Sequence, residues 1–232
     1  MRATWCAIII LVGLGCWVMR AGQQGLFLDL TTPEARQKEE SRTAACGGVR
    51  GVISTPHRPQ PQPELPVDLG IEWIDRKDYK IGQDIVFEVS LTNDGTSPLT
   101  IPVSQDQGAA YGKDCKWLSV LPNTRTWISV VGLLLTGPDG RSELVGSHIL
   151  YGNSNDKLTY QVIPPRKSLR VRLSGKLYLP HLMEDLARKR NAVESSQYWV
   201  VSARFQLDDS SLGSPYKDVK STNQIRVQVE AN

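Results

Sequence analysis

Charge of one sign is what this sequence most lacks. Its 27 Lys and Arg stand against 24 Asp and Glu, and setting aside Arg2 and Arg20 of the N-terminal segment leaves 25 against 24. Nucleic-acid binding draws its affinity from neutralised phosphates and released counterions, which requires a clustered basic face. The nearest candidate, Arg188-Lys189-Arg190, is a short run that reads as a solvated helix end, so no nucleic-acid partner is expected. Histidine and cysteine are scarce as well. No metal-ligand set is read around His57, His148 or His181, and neither Cys46 nor Cys115 has a Cys or His at ligand spacing. No metal and no cofactor are expected on that basis. No nucleophile-elbow pattern marks a serine, so no catalytic residue is nominated and the chain is read as a non-enzyme. An internal repeat is also missing, which argues against solenoids and propellers.

The one long hydrophobic run lies at the start. Arg2 precedes an uncharged stretch from Ala3 to Met19, at the lower limit of about 17 residues for spanning a bilayer core. A basic residue followed by such a run has the form of a secretory signal. Residues 1–21 are therefore read as a signal peptide or signal anchor, and the chain as extracytoplasmic, periplasmic or secreted. Three fates stay open: cleavage near Ala21-Gly22, retention as an anchor, or lipidation at Cys16 within Gly13-Leu14-Gly15-Cys16. Membrane contact is expected only through this segment. Cys46 and Cys115 are the two cysteines outside it; in an oxidising compartment they form a possible disulfide, with two separate thiols as the alternative.

Residues 22–66 read as a flexible, charged and Pro-rich linker. It contains a short apolar patch from Leu26 to Leu30, a charged stretch from Pro33 to Thr43, and a tract from Ser54 to Pro66 with Pro at 56, 59, 61, 63 and 66. Proline fixes φ and removes a backbone donor, so that tract is an extended spacer. From Val67 the hydrophobic period becomes two. Val67, Leu69, Ile71 and Trp73 alternate with polar residues or Gly, as do Ile85, Phe87, Val89 and Leu91. Leu99 to Val103 is a further short strand. Ile128 to Thr136 is more continuously apolar, as a central strand would be, and Gly137-Pro138-Asp139-Gly140 turns it into Leu144 to Tyr151. Leu158, Tyr160 and Val162, then Leu169, Val171 and Leu173, then Trp199 to Leu207, then Ile225, Val227 and Val229 complete the strands. Pro180 to Arg190 is the one short helix, with acidic residues early and basic residues late. The expected fold class is all-β: an immunoglobulin-like antiparallel β-sandwich over residues 67–232, with a barrel as the alternative.

Three stretches also carry a family likeness. Tyr79-Lys80-Ile81-Gly82-Gln83-Asp84-Ile85, leading into a strand that ends at Asn93, resembles the early-strand signature of bacterial extracytoplasmic Ig-like domains. Ile163-Pro164-Pro165-Arg166-Lys167-Ser168-Leu169 resembles their Pro-Gly-x-Ser turn, with Arg166 where Gly is usual. Trp199 to Phe205 together with Ser221 to Val227 resembles their last two strands. The outline is similar to that of the intracellular proteinase inhibitor (BsuPI-type) family. The resemblance implies the sandwich and says little about activity.

Ser104 to Thr126 is the irregular feature. A loop longer than about 12–15 residues is uncommon and is usually either functional or disordered. This one brings Tyr111 and Trp117 beside Lys113, Asp114 and Lys116, the mixture that binding surfaces favour. These five residues are the candidate binding loop; covering a sheet edge is the alternative use. Asn153-Ser154-Asn155-Asp156 and Asp208-Asp209-Ser210-Ser211 offer hard oxygens of the kind that hold Ca²⁺, but read as polar loop tips. The expected function is an exported binding or accessory module of the cell envelope, its partner an unknown protein or envelope component. The rivals are a proteinase inhibitor-like domain, an enzyme with an unrecognised site, and a structural envelope domain.

Overall fold

A computed structural model of the chain describes residues 26–35, 63–111, 114–118, 121–178, 197–209 and 218–230. The leader, Cys46, His57, Lys113, His181 and the helix expected at 180–190 lie outside them. Among the described residues no helix is long and apolar enough to cross a membrane.

Strands are numbered in chain order. One sheet has the order β1 (Leu26–Asp29), β9 (Ser168–Lys176), β4 (Asp84–Asn93), β2 (Val67–Ile74). The other runs β3 (Asp78–Lys80), β12 (Ile225–Glu230), β10 (Gln197–Asp209), β6 (Thr126–Thr136), β7 (Ser142–Asn153), with β11 (Val219–Lys220) beside β10. A small ribbon pairs β5 (Leu99–Pro102) with β8 (Tyr160–Ile163). With the additions removed, β2-β4-β9 are strands A, B and E, and β12-β10-β6-β7 are strands G, F, C and C′, which is the immunoglobulin-like arrangement. Trp127 on β6 is buried on the strand where antibody domains keep their core tryptophan. No disulfide supports it from β4 and β10, because neither strand carries a cysteine.

The period-two pattern is what stacks the sheets. Leu69, Ile71, Ile85, Phe87, Val89, Leu91, Leu169, Val171 and Leu173 face inward from the first sheet, against Val131, Leu133, Leu135, Val201, Ala203, Phe205, Val227 and Val229 from the second. Each buried Val, Leu, Ile or Phe contributes about 1.5–3 kcal/mol relative to exposure, so this core is the main source of the sandwich's stability.

Three expectations fail in instructive ways. Leu26–Asp29, assigned by sequence to the linker, is a strand parallel to β9, and Leu30 after it is buried. So short an apolar patch does not reveal a strand when its partner lies far along the chain. Trp73 does not continue the apolar face of β2: a bulge between Ile71 and Trp73 rotates it outward, leaving it 46% exposed. On β8 the faces are the reverse of the expected ones. Ile163 is the buried residue and Val162 is exposed, while Leu158 sits in a 3-10 turn at 89% exposure.

The open edges of the sheets are closed by specific groups. On β2, the Asn223 side chain replaces a missing strand: its Oδ1 accepts from the Ile71 N–H at 2.8 Å and its Nδ2 donates to the Ile71 carbonyl at 2.8 Å. On β7, Gly146 adopts φ +60° and meets Gly175 of β9 backbone to backbone; a Cβ at Gly175 would overlap the Gly146 Cα. His148, two residues on, lies within hydrogen-bond distance of the Ser174 carbonyl through Nε2 (2.7 Å) and of Gln105 Nε2 through Nδ1 (3.0 Å). The turn before β9 holds Arg166 at φ +60°, the left-handed region natural to the Gly of the resembling motif. Lys167 N–H closes that turn on the Pro164 carbonyl at 3.1 Å, and Arg166 N–H donates to the Asn93 carbonyl at 2.8 Å.

At the β2–β3 corner Asp75 collects three partners. Tyr79 Oη donates to it at 2.7 Å, the Val86 N–H at 3.1 Å, and Arg76 pairs with its other oxygen at 2.8 Å. Burial alone would raise the Asp75 pKa, but these hydrogen bonds and the Arg76 charge outweigh it and hold the carboxyl below its ordinary range. Burial, and then the Asp75 carboxylate, push the Tyr79 phenol well above its ordinary value.

Two consequences are measurable. Asn223→Ala strips two backbone groups of their partner and is expected to cost about 1–3 kcal/mol in urea unfolding; an unchanged midpoint would show that water replaces the amide without loss. Because the folded pKa of Asp75 is depressed, its contribution is complete above the unfolded value of about 3.9 and is lost as pH falls through the folded value. The stability gap between wild type and Asp75→Asn is therefore expected to narrow between pH 6 and pH 3, as read by thermal melts across that range.

Candidate functional site

The 104–126 loop is built from its base upward. Ala109 and Ala110 are buried, and a 3-10 turn over Gln107–Ala109 brings the chain to them. Asn153 at the end of β7 donates through Nδ2 to the Ala109 carbonyl at 2.6 Å, and the Leu118 N–H donates to the Ala110 carbonyl at 3.0 Å. Above this base Tyr111 and Trp117 form an isolated antiparallel bridge. Their rings meet edge to face with centroids 5.1 Å apart, the arrangement that ring quadrupoles favour. The structure thus joins Tyr111 to Trp117 directly, with Asp114 and Lys116 exposed between them. Lys116 donates its N–H to Asp114 Oδ1 at 3.3 Å and approaches the other oxygen through Nζ at 3.5 Å. These contacts, the backbone one first, hold the Asp114 carboxyl below its usual range. Cys115, at φ +59°, is disulfide-bonded. The remaining cysteines, Cys6, Cys16 and Cys46, lie outside the described residues.

Of the two oxygen-rich segments, 153–156 is used structurally, and Ser210 and Ser211 lie outside the described residues. Asn153 Oδ1 accepts from the Asn155 N–H and Asp156 Oδ1 from the Leu158 N–H, both at 2.9 Å. Asp208 and Asp209 do not form a loop tip. They end β10, and Asp209 is buried in an ion pair with Arg125, whose guanidinium lies 4.8 Å from the Trp127 ring centroid. The period-two run to Leu207 concealed this, since the strand continues two polar residues further.

A second surface escaped the sequence reading altogether. On the outer face of the first sheet, Asp29, Arg172, Glu88 and Trp73 lie in one row across four strands, and Phe27, Arg170, Ser90 and Gly70 in the next. Glu88 is 1% exposed although it faces outward, because Arg170 and Arg172 fold over it and pair with it. Arg172 also reaches Asp29 at 3.6 Å. Its guanidinium carbon stands 5.2 Å from the Phe27 centroid and 5.9 Å from that of Trp73. Alternating Arg and apolar residues in β9 were visible in the sequence, but not the strand that brings Phe27 beside them.

No family model matches the chain, and no curated protein does so. Solved structures show distant likeness. The sporulation control protein of Bacillus subtilis aligns over 72% of this chain at 13% identity and a TM-score of 0.34; this chain spans 50% of that protein's length. The putative ApaA protein of Bordetella pertussis aligns over 72% of this chain and 98% of its own, at 11% identity and a TM-score of 0.29. A PapD-like domain of human CEP192 aligns over 78% and 95%, at 10% identity and a TM-score of 0.20. At this distance the likenesses say nothing of what this chain does.

Asn153→Ala should loosen the loop and leave the sandwich intact. Exchange of the Leu118 amide is expected to accelerate at least tenfold while the amides of β4 and β9 keep their protection; uniform acceleration would show that Asn153 serves the whole domain.

Proposed function

We propose that the chain is an exported, non-enzymatic binding or accessory module of the cell envelope, carried on a Pro-rich stalk, with the Tyr111–Trp117 hairpin as its contact with a protein or envelope component. The observation that carries this reading is the ring pair: Tyr111 and Trp117 meet edge to face beside the buried Ala109 and Ala110. Order of this kind lowers the entropy cost of binding, and Tyr and Trp are enriched where interfaces hold their energy. The disulfide at Cys115 supports an extracytoplasmic location, because disulfides persist in oxidising compartments. Cys46 is the partner this reading assigns to it. The extracytoplasmic Ig-like likeness of the sequence motifs fits the same reading.

A second reading, the proteinase inhibitor one, draws on the same disulfide-held loop. A rigid exposed segment can enter a protease cleft, and the outline shared with the BsuPI-type family points the same way.

Capture from an envelope extract separates these. Wild type is expected to retain a partner that Trp117→Ala and Tyr111→Ala each lose by tenfold or more. Identical partners in all three forms would remove the loop from the contact, and inhibition of one member of a protease panel, lost in both variants, would favour the second reading.

A further inference from the structure

One end of the sandwich gathers apolar side chains that the core does not use. Leu158 stands 89% exposed in the turn Lys157–Thr159, and the turn holds it there. Thr159 beside it is buried, and its Oγ1 accepts from the Asn153 N–H at 3.0 Å and donates to the Asp156 carbonyl at 2.7 Å. Leu121 is 43% exposed and belongs to the same surface. Its carbonyl accepts from the Thr124 N–H at 3.3 Å, Thr124 Oγ1 accepts from Asn155 Nδ2 at 3.1 Å, and the Ser154 N–H donates to the Arg125 carbonyl at 2.8 Å. Asn153 ties this surface to the base of Tyr111 and Trp117 through the Ala109 carbonyl. The entry of β1 is level with it. β7 and β9 meet at Gly146 and Gly175 and run in opposite directions there, since His148 meets Ser174. Seven residues on from that meeting along β7 is Asn153, and seven back along β9 is Ser168, next to the Leu169 that pairs with Leu26. In the sequence, the uncharged run Ala3 to Met19 ends seven residues before Leu26, at most about 25 Å of extended chain.

We propose that this end of the sandwich rests on a lipid bilayer, with Leu158, Leu121 and the rings of Tyr111 and Trp117 at the depth of the headgroups. This contact deepens the proposed envelope role and rests on it: lipid is the component, and residues 1–21 stay in the membrane beside it. Chain length sets the geometry, since any membrane that keeps those residues lies close to the end where β1 enters. A leucine so exposed on a tight turn is a convex feature, which a protein partner has to meet with a fitted pocket. Acyl chains accommodate any outline, so the same leucine leaves water without such a fit. Tyr and Trp settle at the boundary of membrane and water, where an apolar body and a polar tip are both served. Lys116 and Lys157 are exposed neighbours of Trp117 and Leu158, and a long lysine stem keeps its charge in water while the side chain beside it sinks. Acidic headgroups are not required. Lys116 pairs with Asp114 and Arg125 with Asp209, and Asp156 stands beside Lys157 in the chain, so the surface carries little net charge. A single apolar anchor sets only the distance to the membrane, whereas inserted side chains fix which end of the domain faces it.

The test places a photoreactive benzoylphenylalanine at Leu158, at Leu121, or at the exposed Ser142 on the opposite end of β7, in the full chain reconstituted into phosphatidylcholine vesicles. Acyl chains are expected to be labelled from positions 158 and 121 at least tenfold more than from 142. Leu158→Asp is expected to lower labelling from position 121 fivefold or more with an unaltered melting midpoint, because Leu158 adds nothing to the core. Adding phosphatidylglycerol is expected to change the labelling by less than twofold. A chain that leaves the vesicles overturns the proposal, as does equal labelling from position 142. Labelling that requires phosphatidylglycerol, or adducts with a second copy of the chain in place of lipid, overturns it too. The vesicles hold no envelope protein, so absent labelling together with Trp117-dependent capture of a protein removes the bilayer and keeps the contact at Tyr111 and Trp117.

Discussion

A sandwich of two sheets is only as secure as its open edges, where a row of backbone groups would otherwise face water or a stray strand. In this chain the closing of those edges is the constraint on which the remaining features hang. Asn223 closes β2 by imitating a peptide group against Ile71. Gly146 and His148 close the far side by bringing β7 onto the exposed half of β9. Closing that side also fixes Gln105 through His148, and Gln105 begins the loop whose base Ala109 and Ala110 bury. Edge closure and presentation of the Tyr111–Trp117 hairpin are therefore mechanically continuous.

The candidate surfaces differ in how they are held. Tyr111 and Trp117 are held by the Asn153 amide and the backbone bond from Leu118 to Ala110, so their geometry depends on local groups. The outer sheet face is fixed by strand register, since Asp29, Arg172, Glu88 and Trp73 align only if β1, β9, β4 and β2 are paired as they are. Weakening the loop base would leave the sheet face intact, whereas a register slip would dismantle the face entirely.

What could be read from the sequence follows from how local each signal is. Alternation in Ile85 to Leu91 and in Trp199 to Leu207 fixes strand and face together, and both lie in the core as expected. That Tyr111 and Trp117 share one loop was legible, but their edge-to-face contact was not, because it depends on the fold of the loop base. Trp73 was misplaced because a bulge leaves no mark in a hydrophobic pattern, and one extra residue reverses every face beyond it. β1 was missed because its meaning resides in β9, far along the chain. The Arg166 position was the reverse case: the likeness to a Gly-bearing turn held at the backbone even though the side chain differs.

β1 has one more consequence. It is joined to the sandwich by a short parallel ladder and the burial of Leu30, and the next strand, β2, begins only at Val67, an excursion of sequence that the ladder has to close. Closing that excursion costs entropy that every other neighbouring pair in the first sheet offsets with a longer ladder. This strand is thus the clasp of the domain, the piece with the least to lose by letting go. Its departure would take Phe27 off the outer face and bare the edge of β9 from Leu169 to Arg172, turning a closed sheet into an acceptor for a strand from elsewhere.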